Sequence, residues 1–199
     1  MTLQDVLGDL WLHGIPVVPI DLLPAPSFQG IACIVEGRPV ILVSHKYDEP
    51  SRIAFLVTHE AGHIAAGHCR ADQPVIDEED DIMDDNQIEL IADRYAAHVL
   101  VGDHPMPQIE GQNFRNLARN ASQLEDETGI DAGMIVFAWA SRTGDYARAS
   151  MAVKALYRAS GARRQLSQHF SRYVDMDTTA ETDQALLRCV FSEHNAAAD

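Results

Sequence analysis

The chain reads R-I-A-F-L-V-T-H-E-A-G-H over residues 52–63. The high apolar content of this stretch predicts a helix from Arg52 to His68, with Ser51 as the N-cap. Within that helix His59 and His63 are four residues apart, which returns both imidazoles to nearly the same face, about 6 Å apart along the axis. The sequence therefore predicts a helix that presents two histidines to one point.

The same stretch contains an H-E-x-x-H motif, which on a helix is typical of zinc hydrolases. Two imidazoles at this spacing can bind one metal ion, and Glu60, beside the first, can hold and deprotonate a metal-bound water. A catalytic zinc site needs three protein ligands and one open position. His59 and His63 are thus predicted metal ligands and Glu60 is the predicted catalytic base, while the third ligand must come from elsewhere.

Glu89 is the predicted third ligand, because it opens the next expected helix, from about Asn86 to Val101. Asp93 lies four residues further on and shares its face. A carboxylate there can accept the spare N–H of a ligand histidine and so fix the orientation of the ring. We expect two histidines and one glutamate around a single ion, Zn²⁺ or alternatively Mn²⁺, since this donor set accepts both.

The other histidines, Cys69 and Tyr95 are expected to have structural roles rather than to bind the metal. A third histidine of the metzincin pattern would stand at position 69, which is Cys69 here, so His68 is expected to be a helix-end residue and Cys69 a small buried one. Tyr95 and His104 could approach the cleft as hydrogen-bond donors, but structural roles are expected for both. The remaining histidines, which include His169, are expected at the surface.

The rest of the chain predicts an α+β fold. An amphipathic helix is expected over 3–12 and a β-hairpin over 31–35 and 39–43, with Gly37 in its turn. Prolines between positions 16 and 26 exclude a regular helix there. Further helices are expected over roughly 113–128, 131–142, 145–160 and 178–192. These elements make a mainly helical protein with a small N-terminal antiparallel β-sheet and a helical C-terminal region.

Composition restricts the class of protein. The 199 residues are 46% hydrophobic and 23% charged, as in globular proteins, and the formal net charge of −15 argues against nucleic-acid binding as the main role. Residues 72–93 hold ten acids and no base, whereas 142–172 carry a net +6. With three scattered cysteines, no basic leader and no apolar run of membrane-spanning length, a cytoplasmic protein is expected, without a membrane partner.

Two runs together resemble the ImmA/IrrE family of metallopeptidases: residues 52–63, and E-L-I-A-D-R-Y-A-A at 89–97. That family shows R-F-T-x-A-H-E-x-G-H after a short β-hairpin, followed by an E-x-E-A-D/N-x-F-A-A helix. The resemblance covers about residues 30–101, with weaker similarity to about 140. This chain departs from the pattern at Ile91, where the family often has glutamate, and at V-L-V-G over 99–102 in place of L-L-M-P.

The resemblance implies a zincin-like metalloprotease core over residues 1–105 and a helical C-terminal region over 106–199, in which 124–136 is similar to a helix-turn-helix. It further implies a cytoplasmic zinc or manganese endopeptidase that cleaves a specific partner, typically a helix-turn-helix transcriptional repressor, and so derepresses stress-response or mobile-element genes. By motif match His59, His63 and Glu89 would be the ligands, Glu60 the base and Asp93 the support of a ligand.

Two other functions stay open at this point. The chain could be a non-catalytic, antitoxin-like module that binds a partner and has a structural metal site, which would not need Glu60. It could also bind DNA through the helices of 113–142 and the basic stretch 142–172, and salt-sensitive binding would reveal that. The sequence leaves the substrate, the cleavage site and the oligomeric state open.

Overall fold

A computed structural model of the protein describes residues 1–20, 29–44, 46–69, 75–76, 85–103, 113–156 and 160–175. These residues form an α+β fold, as predicted. The described part contains seven helices and four strands, in the order α1 Leu3–Leu12, β1 Val17–Ile20, β2 Gly30–Val35, β3 Arg38–Ser44, α2 Pro50–Ala65, β4 Val75–Ile76, α3 Asp85–Val101, α4 Phe114–Thr128, α5 Ala132–Thr143, α6 Tyr146–Leu156 and α7 Ala162–Tyr173.

The helix of the H-E-x-x-H motif, α2, begins earlier than predicted. Its N-cap is Glu49, Pro50 occupies the first turn, and Ser51 is a buried helical residue, so the prediction of Ser51 as N-cap was wrong. Proline suits this position because its fixed φ is already helical and its missing N–H would have no partner in the first turn. The helix also ends earlier, at Ala65 rather than His68.

The four strands form one mixed sheet in the order β1-β3-β2-β4. The predicted hairpin is β2 and β3, and its turn has Glu36 at φ 50° and Gly37 at φ 78°. Two positive φ values in a two-residue turn match the right-handed twist of the strands. β1, however, pairs parallel to β3, with Val17 opposite Ile41, so the prediction of an antiparallel sheet was wrong. Pro19 is tolerated in β1 because an outer strand has one side that needs no donor.

Two helices lie at the centre of the fold and position the rest. Residues 53–63 of α2 are all buried, and so are residues 132–140 of α5. The two helices pack together directly, and the Phe55 and Phe137 rings stack at a centroid distance of 5.7 Å. One hydrophobic cluster contains residues from both 1–105 and 106–199. The division of the chain into two domains at this boundary stays a prediction.

The C-terminal helices follow the predictions in part. α4 and α5 match the expected 113–128 and 131–142, and α6 lies within 145–160, while 178–192 falls outside the described residues. α7 was not predicted, although its buried side chains follow helical spacing at 162, 166, 169 and 170. Within the described residues, no helix is both long enough and apolar enough to cross a bilayer.

α7 packs against α1 through an aromatic cluster. The Trp11 and Tyr173 rings stack at 4.7 Å, and the His169 ring centroid lies 5.1 Å from that of Tyr173 and 6.0 Å from that of Trp11. His169 is only 4% exposed, so the expectation of a surface histidine was wrong. Burial, and then the positive charge of Arg172, lower the pKa of His169 below its usual value.

Gly62 allows α2 and α3 to cross closely, because a Cβ there would lie 2.9 Å from Ala92 Cα. We therefore expect Gly62→Ala to lower the free energy of unfolding by about 1–3 kcal/mol, the usual cost of overpacking. Gly8, in the middle of α1, is the matched control, since an added Cβ there meets nothing within 4 Å. Gly8→Ala should raise stability by up to ~1 kcal/mol. Urea titration with a chelator present measures both, and equal effects would contradict the close crossing.

The buried His169 makes stability depend on pH. Because its folded pKa lies below the unfolded value of about 6.5, the unfolded chain takes up the proton first. The stability that the neutral His169 contributes is therefore fully present above about pH 6.5 and is lost as the pH falls below that value. We expect the urea midpoint to fall less between pH 7.5 and 5.5 in His169→Phe than in the unmodified chain. The same fall in both proteins would rule out this role.

Candidate metal centre

α2 and α3 carry the three predicted metal ligands, and their crossing brings these side chains together. Glu89 Oε2 lies 3.0 Å from His59 Nε2, and Glu89 Oε1 lies 3.3 Å from His63 Nε2. The two imidazole Nε2 atoms are 3.1 Å apart. In the described part of the chain, no other group of three histidine, cysteine or acidic side chains brings its ligand atoms within 4.8 Å of one another.

These separations fit a single metal ion. Ligand atoms at about 2.1 Å from a tetrahedral zinc lie roughly 3.4 Å from each other, close to the observed 3.0–3.3 Å. Two imidazole nitrogens and a carboxylate are also a donor set that zinc and manganese accept. The described residues therefore form a cluster that could bind a metal ion, and its geometry does not distinguish between metals.

The electrostatics of the cluster favour positive charge. Burial of the His59 imidazole lowers its pKa, but hydrogen bonds to Asp93 and Glu89 and the charge of Glu60 outweigh this and raise the pKa to about 10. Burial raises the pKa of Glu89, whereas contacts with His59 and His63 lower it to about 2. Metal ligation requires deprotonated ligands, so a divalent cation would replace the proton that this field retains on His59.

Asp93 lies where the sequence places it, beside a candidate ligand. Its Oδ1 atom is 2.9 Å from His59 Nδ1, the ring nitrogen that faces away from Glu89. Its Oδ2 atom accepts a hydrogen bond of 2.5 Å from the hydroxyl of Tyr146, at the start of α6. Tyr146 was not predicted, because it is 53 residues away from Asp93 and no local pattern connects the two.

His68 contacts the second candidate ligand by way of the turn that ends α2. Gly67 adopts φ 70°, its N–H donates to Ile64 O, and the His68 N–H donates to His63 O. This pair of bonds is a Schellman motif, which needs a left-handed residue such as glycine. It brings His68 Nδ1 to 3.1 Å from His63 Nδ1. His68 is therefore a helix-end residue, as expected, and also a neighbour of a candidate ligand, which the Gly67 signal could have indicated.

Glu60, the predicted base, is 1% exposed and lies against strand β2. A Cβ added at Gly30 would collide with the Glu60 carboxyl group, so glycine at position 30 leaves the room that this side chain needs. Sequence reasoning missed Gly30, because its role depends on the contact of strand β2 with helix α2 and not on a local pattern. Glu60 follows His59 on α2, and its negative charge contributes to the raised pKa of His59, while its role as base stays a prediction.

The nearby thiols are not activated. Burial, followed by the charge of Glu60, raises the pKa of Cys33, and burial with the same charge raises that of Cys69 to about 11. Both thiols therefore stay protonated near neutral pH and are poor nucleophiles. Cys69 is partly buried, rather than fully buried as expected.

Two other candidates on α3, His98 and Tyr95, are not part of the cluster. His98 is 67% exposed and pairs with Asp103 at 3.3 Å, so it faces away from the cluster, as its position half a turn from Glu89 suggests. Tyr95 packs its Cβ near Gly62 and remains 38% exposed. His104 lies outside the described residues.

Metal binding tests the cluster directly. We expect the purified chain to bind about one zinc ion and His63→Ala to lose this binding, because two of the three donors cannot close a catalytic site. His98→Ala, a change at an exposed histidine of α3, is the matched control and should bind zinc normally. Competition with a chromophoric chelator gives the affinities. Normal zinc binding by His63→Ala would place the metal elsewhere.

No protein-family model matches the chain, and no curated protein matches it. The convergence of His59, His63 and Glu89 is therefore the observation from which a function must be argued.

Proposed function

We propose that the protein is a metal-dependent endopeptidase with a zincin-like core. His59, His63 and Glu89 would bind Zn²⁺, or alternatively Mn²⁺, and Glu60 would act as general base. The observation that carries this proposal is the convergence of the three ligand atoms from α2 and α3, together with a buried glutamate, Glu60, that follows His59 on α2. A site that only stabilised the fold would need the three ligands and a fourth protein ligand, but no buried base.

Each residue has a distinct task in the proposed hydrolysis. When bound, the metal supplies a Lewis acid that polarises the scissile carbonyl and activates water. Glu60 takes a proton from the attacking water at its carboxylate and later delivers it to the leaving amine. Asp93 accepts a hydrogen bond from His59 Nδ1, which keeps the lone pair of His59 Nε2 directed at the cluster.

The substrate we propose is a helix-turn-helix transcriptional repressor, whose cleavage in the cytoplasm would derepress stress-response or mobile-element genes. The similarity of residues 52–63 and 89–97 to the ImmA/IrrE family supports this part of the proposal. Charge agrees with it, because the chain is strongly acidic and DNA-binding repressors are basic.

Direct DNA binding by the helix-turn-helix-like segment has less support. A recognition helix must insert an exposed face into the major groove. Residues 132–140 of α5, the second helix of the segment, are all buried, and Phe137 stacks on Phe55 inside the core. α5 therefore packs against α2 in the core, and its residues 132–140 present no exposed face to DNA.

Replacement of Glu60 separates catalysis from metal binding. We expect Glu60→Gln to retain one zinc ion and to lose about 10²–10⁴-fold in the rate of peptide-bond cleavage, since general base catalysis contributes that much. The assay incubates the zinc-loaded chain with purified helix-turn-helix repressors from the same genome and follows the fragments by mass spectrometry. Glu127→Gln, at an exposed position of α4, is the matched control and should cleave normally.

Two results would contradict the proposal. If Glu60→Gln cleaves as fast as the unmodified chain, Glu60 is not the base. If the zinc-loaded chain binds the repressor without cleaving it, and Glu60→Gln binds equally well, the protein is a binding module with a structural metal site.

A further inference from the structure

We infer that Tyr146 is a positioning residue for the metal centre: its hydroxyl fixes Asp93, and Asp93 fixes the ligand His59. This inference rests on the metal site of the proposed function. It assigns to helix α6, in the C-terminal half of the chain, a part in metal binding that the H-E-x-x-H motif and Glu89 do not supply.

The first step is the geometry of Asp93, which uses both carboxylate oxygens. Oδ1 accepts from His59 Nδ1 at 2.9 Å, and Oδ2 accepts from the Tyr146 hydroxyl at 2.5 Å. The Asp93 side chain is 16% exposed and Tyr146 is 37% exposed, so the Asp93–His59 contact lies inside the site and the Tyr146 hydroxyl closes it from the solvent side. A carboxylate held at one oxygen alone can still rotate, whereas one held at both keeps a fixed plane, and the imidazole on Oδ1 keeps its direction with it.

The second step is the attachment of Tyr146 itself. Ser150 is one turn further along α6, and its hydroxyl donates to Tyr146 O at 2.8 Å. Arg52, in the first turn of α2, donates from Nη2 to Ser150 Oγ. The Arg52 guanidinium lies 3.7 Å above the Tyr47 ring, which holds the arginine in place. The start of α6 is thus attached to the helix that carries His59.

The chain of contacts therefore leaves α2 at Arg52 and returns to α2 at His59, by way of α6 and α3. Because α6 is attached to α2 through Arg52, it holds the Tyr146 hydroxyl at a fixed distance from Asp93. The orientation of the His59 ring is therefore restricted by α6 as well as by the packing of α2 on α3. Residues that orient a metal ligand usually contribute 10–100-fold to metal affinity. We expect the lower end of this range for one hydroxyl, about tenfold.

Tyr146→Phe tests the inference, because it keeps the ring and removes the hydroxyl. The full-length variant should bind zinc about tenfold more weakly in chelator competition and should show altered visible absorption bands with Co²⁺. Its urea midpoint in the presence of chelator should stay unchanged. Tyr173→Phe, at a 54% exposed tyrosine of α7, is the matched control and should resemble the unmodified chain in all three measurements.

A double-mutant cycle distinguishes positioning through Asp93 from a general structural effect. In an Asp93→Asn background, the further change Tyr146→Phe should weaken zinc binding much less than tenfold, because the amide already disturbs the contact to His59. A tenfold effect in both backgrounds, or unchanged affinity and Co²⁺ bands in Tyr146→Phe, would overturn the inference.

The measurements distinguish a failure of this inference from a failure of the proposed function. If the unmodified chain binds no zinc, the metal site is wrong and this inference falls with it. If the chain binds zinc but cleaves nothing, the proposed peptidase fails, whereas the role of Tyr146 is still decided by the affinities.

Discussion

The close crossing of α2 and α3 at Gly62 determines how near Glu89 comes to the two buried histidines. Two helices normally pack with 8–10 Å between their axes, at a distance set by the side chains in the contact. The backbone of Ala92 meets Gly62 without an intervening side chain, and this lets Glu89 reach both imidazoles. The glycine of H-E-A-G-H is therefore a packing residue that allows the three candidate ligands to converge.

The same crossing creates an electrostatic cost that the surrounding residues offset. His59 and His63 are buried side chains, and buried charge is unfavourable unless it is paired. Glu89 and Asp93 pair with His59 from opposite sides of its ring, and His68 faces the outer nitrogen of His63. The polar groups of the cluster thus orient one another, which is the condition for a rigid site in a largely apolar interior.

Local pattern was enough to predict α1, α3, the hairpin and the pair of histidines on α2, because each depends on spacing within one segment. Contacts between distant segments could not be predicted in this way. The parallel pairing of β1 was hidden by its prolines, and the packing of α7 on Trp11 joins distant segments, although the helical spacing of α7 itself is a local signal that was missed. Gly30 and Tyr146 act on Glu60 and Asp93 across the fold, so no motif in their own segments indicates them. His68 is an intermediate case, since Gly67 beside it is a local signal.

The burial of α2 against α5 has a consequence for how the protein is made. Translation produces the H-E-x-x-H helix some 70 residues before Phe137, the residue that covers Phe55 in the folded protein. Until then α2 carries an uncovered apolar face on the nascent chain, a state that invites aggregation or chaperone binding. The order of synthesis thus places the three potential ligands early and the residues of α5 that cover α2 late, so α2 becomes fully enclosed only after α5 has been synthesised.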